Sequence, residues 1–388
     1  MGWQVKPLGE VVTLQRGFDL PKQDRQAGAV PIVSSSGVSG THSEARVSAP
    51  GVVTGRYGSI GQVHYIETDF WPLNTTLFVK DFKGNNPRFV SYLLETIDYA
   101  SCSDKSSVPG VNRNDLHRLR VAIPDLPEQR YIAETLGALD DKIELNRRMN
   151  RTLESIARAI FRSWFVDFDP VRKKMEGGEF EATPLGAMPA GWRVCELHDV
   201  ADVVDCLHSR KPERQPTGSL LLQLANIRDD GLLDTRDRFC IADDAYELWT
   251  SRMEAVEGDC VITNVGRVGA VAQIPKGVRA ALGRNMTGLR CKPDFPFPTF
   301  LLEALVSSTM REEIADKTDT GTILEALNVR NISHLRLVVP TKMLASQFEE
   351  LIRPLRARME AGLAQCVALA RLRDVLLVEL LHGGLSTC

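Results

Sequence analysis

Apolar residues recur along two stretches of the chain at alternating steps of four and three, the seam of a coiled-coil helix. In the first stretch they fall at Ile132, Leu136, Leu139 and Ile143, then at Leu153, Ala157, Ile160 and Trp164. Asn146 and Asn150 take the two middle positions, where they set register or simply face water. The helix is expected to begin near Pro127-Glu128-Gln129, with proline in a tolerated first turn and acidic residues following. It should run to residue 165, about 39 residues or roughly 58 Å. The second stretch carries Phe348, Ile352, Leu355, Met359, Leu363, Cys366, Leu369, Leu372, Leu376 and Leu380, with Gly383-Gly384 as a stop and Pro354 expected to kink its start. Two seams of matching length most simply pack on each other, antiparallel, as a spacer rod. The plainer alternative is two amphipathic helices that each cap a domain of their own.

Ahead of each long helix the pattern is different. Short β-rich runs at 51–54, 61–66 and 77–79 alternate with Gly, Pro, Ser and Asn, and a short helical stretch at 89–97 is mirrored at 300–306. The landmarks themselves repeat. Gly2-Trp3-Gln4-Val5, then Leu8 and Val11, returns as Gly191-Trp192-Arg193-Val194, then Leu197 and Val200. Gly58-Ser59-Ile60-Gly61-Gln62-Val63 returns as Gly266-Arg267-Val268-Gly269-Ala270-Val271, and Leu73-Asn74-Thr75-Thr76 resembles Arg284-Asn285-Met286-Thr287. His117-Arg118-Leu119-Arg120-Val121-Ala122-Ile123-Pro124 parallels Ser333-His334-Leu335-Arg336-Leu337-Val338-Val339-Pro340. Four matches in one order describe a tandem duplication. Between the copies, Asp169-Pro170, Arg172-Lys173-Lys174, Gly177-Gly178, Pro184 and Pro189 read as a linker, not as core. The expected fold class is α+β: two tandem mixed α/β domains, at 1–124 and 183–340, separated by two long antiparallel coiled-coil helices at 125–182 and 341–388. A length of 388 residues suits two domains.

Composition narrows the function. A net charge of -3 excludes a blanket-basic nucleic-acid coat but not a local basic face. Arg outnumbers Lys 34 to 13, and the planar guanidinium fork suits guanine edges and phosphates. No run of about 18 apolar residues occurs, and Met1-Gly2-Trp3-Gln4 lacks the regions of a signal peptide, so a soluble, cytoplasmic protein with no membrane partner is expected. The eight cysteines are scattered without a Cys-x-x-Cys pair, and no His-Glu-x-x-His occurs; a reducing compartment and no metal site are expected.

Catalytic patterns are missing from the sequence. It has no Gly-x-x-x-x-Gly-Lys-Ser/Thr loop, no Gly-x-Ser-x-Gly and no Asn/Asp-Pro-Pro-aromatic motif, since Asn86-Pro87 is followed by Arg88. Gly55-Arg56-Tyr57-Gly58-Ser59-Ile60-Gly61 superficially resembles a kinase glycine loop, but Arg56 stands where the second glycine belongs; it reads as a Gly-rich hairpin. The pairs Asp140-Asp141 and Glu349-Glu350 read as solvated helix faces. A duplicated chain without a catalytic constellation favours recognition over turnover.

These features resemble one family, the DNA-specificity (S) subunits of type I restriction–modification systems. The likeness rests on Leu119-Arg120-Val121-Ala122-Ile123-Pro124-Asp125-Leu126-Pro127-Glu128-Gln129, on Leu139-Asp140-Asp141-Lys142-Ile143, and on the helix end Phe161-Arg162-Ser163-Trp164-Phe165-Val166-Asp167-Phe168-Asp169-Pro170. It extends to segment 51–63, to Lys105-Ser106-Ser107-Val108-Pro109-Gly110-Val111-Asn112, and to the repeat order itself. The second copy departs, with Ser346-Gln347 where Glu-Gln is usual and Thr318-Asp319-Thr320-Gly321-Thr322 in place of a Ser-rich approach. The resemblance implies a non-catalytic subunit whose two target-recognition domains each read half of a bipartite double-stranded DNA target, with the rod fixing the gap. It implies two modification (adenine methyltransferase) subunits carrying S-adenosylmethionine, and restriction (motor-nuclease) subunits using ATP and Mg, with no cofactor held by this chain. A specificity subunit of a fused type II restriction–methylation system, a stand-alone DNA-modifying enzyme and a coiled-coil adaptor are the alternatives.

Direct readout uses Arg, Asn, Ser and Thr on loops, and phosphate clamping uses Lys and Arg. The candidate DNA contacts are Arg56, Ser59, Lys105, Ser106 and Arg113 in the first domain, and Arg267, Arg284, Asn285, Lys317 and Arg330 in the second. All lie in the repeated hairpin or on the approach to the last strand.

Overall fold

The computed structural model describes residues 2–102, 110–174, 180–183, 186–319 and 325–382; candidates Lys105 and Ser106, the Thr320–Thr322 segment and the Gly383-Gly384 stop lie outside them. The chain divides into two compact units, Met1–Glu144 with Ala368–Cys388, and Leu145–Val367. Among the described residues no helix is long and apolar enough to cross a membrane.

In the first unit the opening strand Gln4–Pro7 pairs antiparallel with Arg120–Ile123, the strand that precedes the long helix. A four-stranded antiparallel sheet runs Thr13–Arg16, Thr76–Asp81, Gly51–Gly55, Val63–Ile66. A smaller sheet runs Gly37–His42, Val30–Ser34, Trp71–Pro72, its last pair parallel. The strand Gly51–Gly55 is buried along its whole length. Val52 packs with Phe89 and Leu94 in the main core, whereas Val53 faces Phe70 and Phe78 on the other side.

The second unit repeats this plan. Arg193–Glu196 pairs antiparallel with Arg336–Val339. Its four-stranded sheet runs Ala201–Asp205, Met286–Cys291, Cys260–Thr263, Val271–Gln273, and a smaller sheet runs Cys240–Ile241, Ser219–Leu221, Ala280–Ala281, Glu254–Ala255. The smaller sheet again contains one parallel pair, Leu220 opposite Ala280. The short helices Pro87–Glu95 and Pro298–Val306 correspond, each opening on proline. The duplication is thus one of topology as well as of sequence.

The long helices are Leu126–Phe165 and Lys342–His382, the second continuing through Pro354. Each unit holds part of both, and there the two are paired antiparallel. In the first unit Ile132, Ala133, Leu136 and Leu381 are buried together, with Leu376, Leu377 and Leu380 against them, and Arg373 donates from Nη1 to Asp140 Oδ1 at 2.9 Å. In the second, Asn146 Nδ2 donates to Gln365 Oε1 and Asn150 Nδ2 to the Met359 carbonyl, each at 2.9 Å. The helices therefore both pair and cap their own modules. Asn146 is fully buried, so it does not face water. Asn150 sits under Gly362, where an added Cβ would come 2.6 Å from its Oδ1. Ile143, Phe348, Ile352 and Met359 are buried, and Leu139, Leu153, Ile160 and Leu355 half-buried.

Four expectations need correction. Leu372 is 48% exposed, because the buried stripe moves one residue on to Arg373, which Asp140 draws inward. Asp140 and Asp141 are not simply solvated. Asp140 also accepts from the Tyr92 hydroxyl at 2.6 Å, and Asp141 accepts two bonds from Arg88. Glu349 is buried rather than solvated, accepting from the Thr299 and Phe300 amides and the Thr299 hydroxyl. The linker carries a helix, Asp169–Lys174, and a hairpin, Phe180–Thr183 with Gly186–Pro189; its Met188 joins the core because Trp192 and Phe165 leave an apolar wall for it.

Glu349 also explains the departure at Ser346-Gln347. In the first unit Gln129 Oε1 accepts from the Asn86 amide at the start of Pro87–Glu95. By backbone bonding, Gln129 to Asp125 and Ala345 to Thr341, the matching position in the second copy is Ala345. Glu349, one turn further on, takes over the task of capping the short helix, where a carboxylate is favoured by the helix dipole.

Candidate nucleic-acid interface

The repeated hairpin is built the same way twice. In the first unit Gly55–Gln62 and Gly61–Gly55 backbone bonds close the turn, and in the second Thr263–Ala270 and Gly269–Thr263 bonds do so. Gly58 and Gly61 have φ of 76° and 75°; Gly266 and Gly269 have 86° and 74°. These are left-handed values that disfavour any residue with a Cβ. The turn is held from two sides. The Arg56 and Tyr57 amides donate to the Thr75 carbonyl and the Arg56 carbonyl accepts from Val111; correspondingly, the Asn264 amide donates to Asn285 and the Asn264 carbonyl accepts from Leu327. Tyr57 bridges Gly110 as Val265 bridges Ala326. Asn112 and Asn328 then cap the next helix in the same manner, accepting from the amides of Asn114 and Arg330.

This scaffold brings the described candidates together within each unit. In the first, Arg56 and Ser59 lie on the hairpin and Arg113 opens the helix Arg113–Arg118 just beyond the Val111 anchor. In the second, Arg267 lies on the hairpin, Arg284 and Asn285 at its support, and Arg330 on the helix beyond Leu327. Lys317 is joined to that helix through Asn331 Nδ2, which donates to its carbonyl at 2.9 Å. Asn285 itself holds a left-handed φ of 64°.

Their electrostatic settings differ. Among the described residues Arg56, Arg113, Arg284 and Arg330 have no carboxylate partner; Arg56 instead lies 4.5 Å from the centre of the Tyr57 ring, a cation–π contact. Arg267 is engaged, donating to the Ile227 carbonyl and pairing with Asp229. Lys317 lies 3.6 Å from Glu313. The Arg336 guanidinium, donating from Nε and Nη2, holds the Glu313 carboxyl below its ordinary range, so it stays charged beside Lys317.

The backbone correspondence shows what the sequence alone could not. The position of Arg56 is filled in the second copy by Asn264, buried and bonded both ways to Thr287, and the position of Ser59 is filled by Arg267. The hairpin cation is displaced three residues along the same loop. A groove of about 710 Å³ beside the second hairpin is lined by Arg267, Gly269, Asp229, Ile314, Glu325 and Arg311, a cation the spacing gave no reason to select.

The tight turn makes a simple test. A Cβ on Gly61 would come 2.6 Å from the Tyr99 ring and on Gly269 3.0 Å from Ile314. Gly61→Ala is expected to cost about 1–3 kcal/mol, read as a lower melting temperature. An unchanged melting temperature would show that the turn does not depend on glycine.

Among the described residues two groups of side chains have donor atoms close enough to hold a metal ion, Glu196 with His198 and His334, and Asp205 with Cys206 and His208. Burial raises the Cys206 thiol, which keeps it protonated and makes the second group a poor donor set.

Two copies of one sheet module, each closed over parts of two paired long helices and each presenting a different set of polar side chains on the same turn, make up a duplicated protein. Residues 1–155 match the type I restriction modification DNA specificity domain family. The chain is 24% identical to the type I restriction enzyme HindI specificity subunit of Haemophilus influenzae over 359 residues, 76% of this chain and 77% of that protein. It is 24% identical to the MjaIX specificity subunit of Methanocaldococcus jannaschii over 292 residues, 73% of this chain and 64% of that protein. The crystal structure of a type I restriction–modification S subunit from M. genitalium shares its fold, with a TM-score of 0.65 at 16% identity over 98% of this chain and 96% of that one. Residues 1–155 thus match that domain family, and the chain is similar over about three quarters of its length to specificity (S) subunits of type I restriction–modification systems.

Proposed function

We propose that the domains at 1–124 and 183–340 each read one half of a bipartite, asymmetric DNA target and that the paired long helices set the unspecified spacer. Two modification subunits carrying S-adenosylmethionine dock on the helices and methylate adenine at N6. Motor-nuclease subunits using ATP and Mg complete the restriction complex. The observation that carries this reading is the hairpin built twice on one backbone plan but bearing Arg56 and Ser59 in one copy and Asn264 and Arg267 in the other. One scaffold with two side-chain sets suits two different half-sites, as the paired modules of dimeric DNA binders suit two like ones.

Methylome sequencing of cells expressing the chain with its modification subunit is the test. A two-part adenine-methylated motif with unlike halves is expected; a contiguous motif, or DNA modification by the purified chain alone, would overturn the proposal. At the level of side chains, Arg56→Ala and Arg267→Ala are each expected to weaken cognate duplex binding. Where the lost contact is to phosphate, the salt slope should fall by about one. Unchanged affinity in both variants would remove the hairpin from the interface.

A further inference from the structure

We propose that Glu196, His198 and His334 form a binding site for a divalent transition ion of the zinc class. The three come from both ends of the second repeat. Glu196 ends the strand Arg193–Glu196, His198 lies in the one-turn helix Leu197–Val200, and His334 follows the helix Val329–Ser333. The pairing of Arg193–Glu196 with Arg336–Val339 draws them to one end of a two-stranded ladder.

Their donor atoms all lie within 4.8 Å of one another. Glu196 Oε2 is 2.6 Å from His334 Nδ1 and 3.4 Å from His198 Nδ1. Ligands about 2.0–2.2 Å from a tetrahedral zinc stand roughly 3.4 Å apart. The Glu196–His198 separation already has that value, and His334 need retreat by less than an ångström. The Ser333 carbonyl also lies 3.0 Å from His198 Nδ1, so two oxygen acceptors converge on the ring nitrogens, a setting that calls for protons or a cation. Arg336, opposite Glu196 in the ladder, does not supply it, because its Nε and Nη2 are committed to Glu313. Asp199 adds the outer carboxylate that orients metal-bound imidazoles. Its Oδ1 is 3.5 Å from His198 Nε2, and its Oδ2 accepts from the Glu196 amide. All three ligands are partly exposed, leaving the fourth position to water.

The first repeat is a built-in comparison. Its backbone closes identically, the Leu8 amide donating to Leu119 as the Leu197 amide donates to Leu335, yet Pro7, Gly9 and Arg118 occupy the ligand positions. The scaffold therefore does not require the cluster; only the second copy carries it. A bound ion would tie the first strand of that module to its last.

Zinc chloride titrated into the full-length chain by calorimetry is expected to show one saturable site. The site should be lost in His198→Ala/His334→Ala and retained in His208→Ala. Cobalt(II) at this site should give a four-coordinate visible spectrum without a thiolate charge-transfer band. Should the double variant fail to fold, His334→Arg, which installs the residue type the first repeat carries there, makes the same comparison. No saturable binding, binding that survives loss of His334, or a thiolate band would each overturn the assignment.

Discussion

Arg356→Ala is expected to cost about 3–5 kcal/mol, the range for removing one partner of a buried ion pair. Arg356 and Glu303 are only 2% and 1% exposed. The guanidinium donates from Nε to Glu303 Oε1 at 2.6 Å and from Nη1 to the Asp230 carbonyl at 2.7 Å. Truncation leaves the Glu303 carboxylate in the core without its hydrogen-bonded counter-charge, and only the more distant Arg158 still favours its ionised form. The loss should also depend on pH. Burial raises the Glu303 carboxyl above its ordinary value and Arg356 opposes that rise. A raised acid binds its proton more readily folded than unfolded, so stability falls as pH climbs above the ordinary carboxylate value. Without Arg356 the carboxyl rises further, so the variant's deficit should be smallest near about pH 4 and widen upward. Arg356→Met combined with Glu303→Leu should recover most of the loss, because neither charge is then stranded. Calorimetry across that pH range is the measurement, and a deficit that is small and flat with pH would contradict it.

The second large effect concerns target spacing. Four residues inserted in register into both long helices, between Asp140 and Asn146 and between Gln365 and Arg373, add about 6 Å of helix. Two base-pair steps at about 3.4 Å each are close to that length. The methylated motif is expected to gain one or two base pairs of spacer and the original motif to lose its methylation. The insertion has to be matched. Asp140 with Arg373 in one unit, and Asn146 with Gln365 in the other, fix the register of both helices, so an insertion in one alone should break a pairing and lower stability. Methylome sequencing that returned the old spacer from the matched insertion would end the ruler idea.

Much of the architecture was legible because it is local or repeated. The 4,3 seam gave both long helices, and the ordered landmarks gave the two modules and their shared hairpin. What escaped detection depended on partners distant in sequence. Nothing near Asp140 announces that Arg373 will pull the apolar stripe past Leu372, and nothing near Glu349 announces an amide pair at Thr299 and Phe300. Asn146 could be placed on the seam but not judged buried until Gln365 was opposite it. The histidine cluster was invisible for the same reason: ligand spacing along a chain cannot register residues that meet only after the repeat closes. For the DNA contacts, the sequence supplied the loop but not its internal pairing, so Arg267 gave no hint of Asp229.

The first unit is assembled from both ends of the chain, its core including Leu8 and Leu14 at one extreme and Leu381 at the other. The second is closed by residues 145–367 alone. On a ribosome the order of completion therefore runs against the order of synthesis. The second module has all its own residues in hand while the first still awaits its last helix segment. A chain stopped near residue 367 would carry a finished second module and an unfinished first, so loss of the residues beyond it should be felt as instability of the N-terminal module.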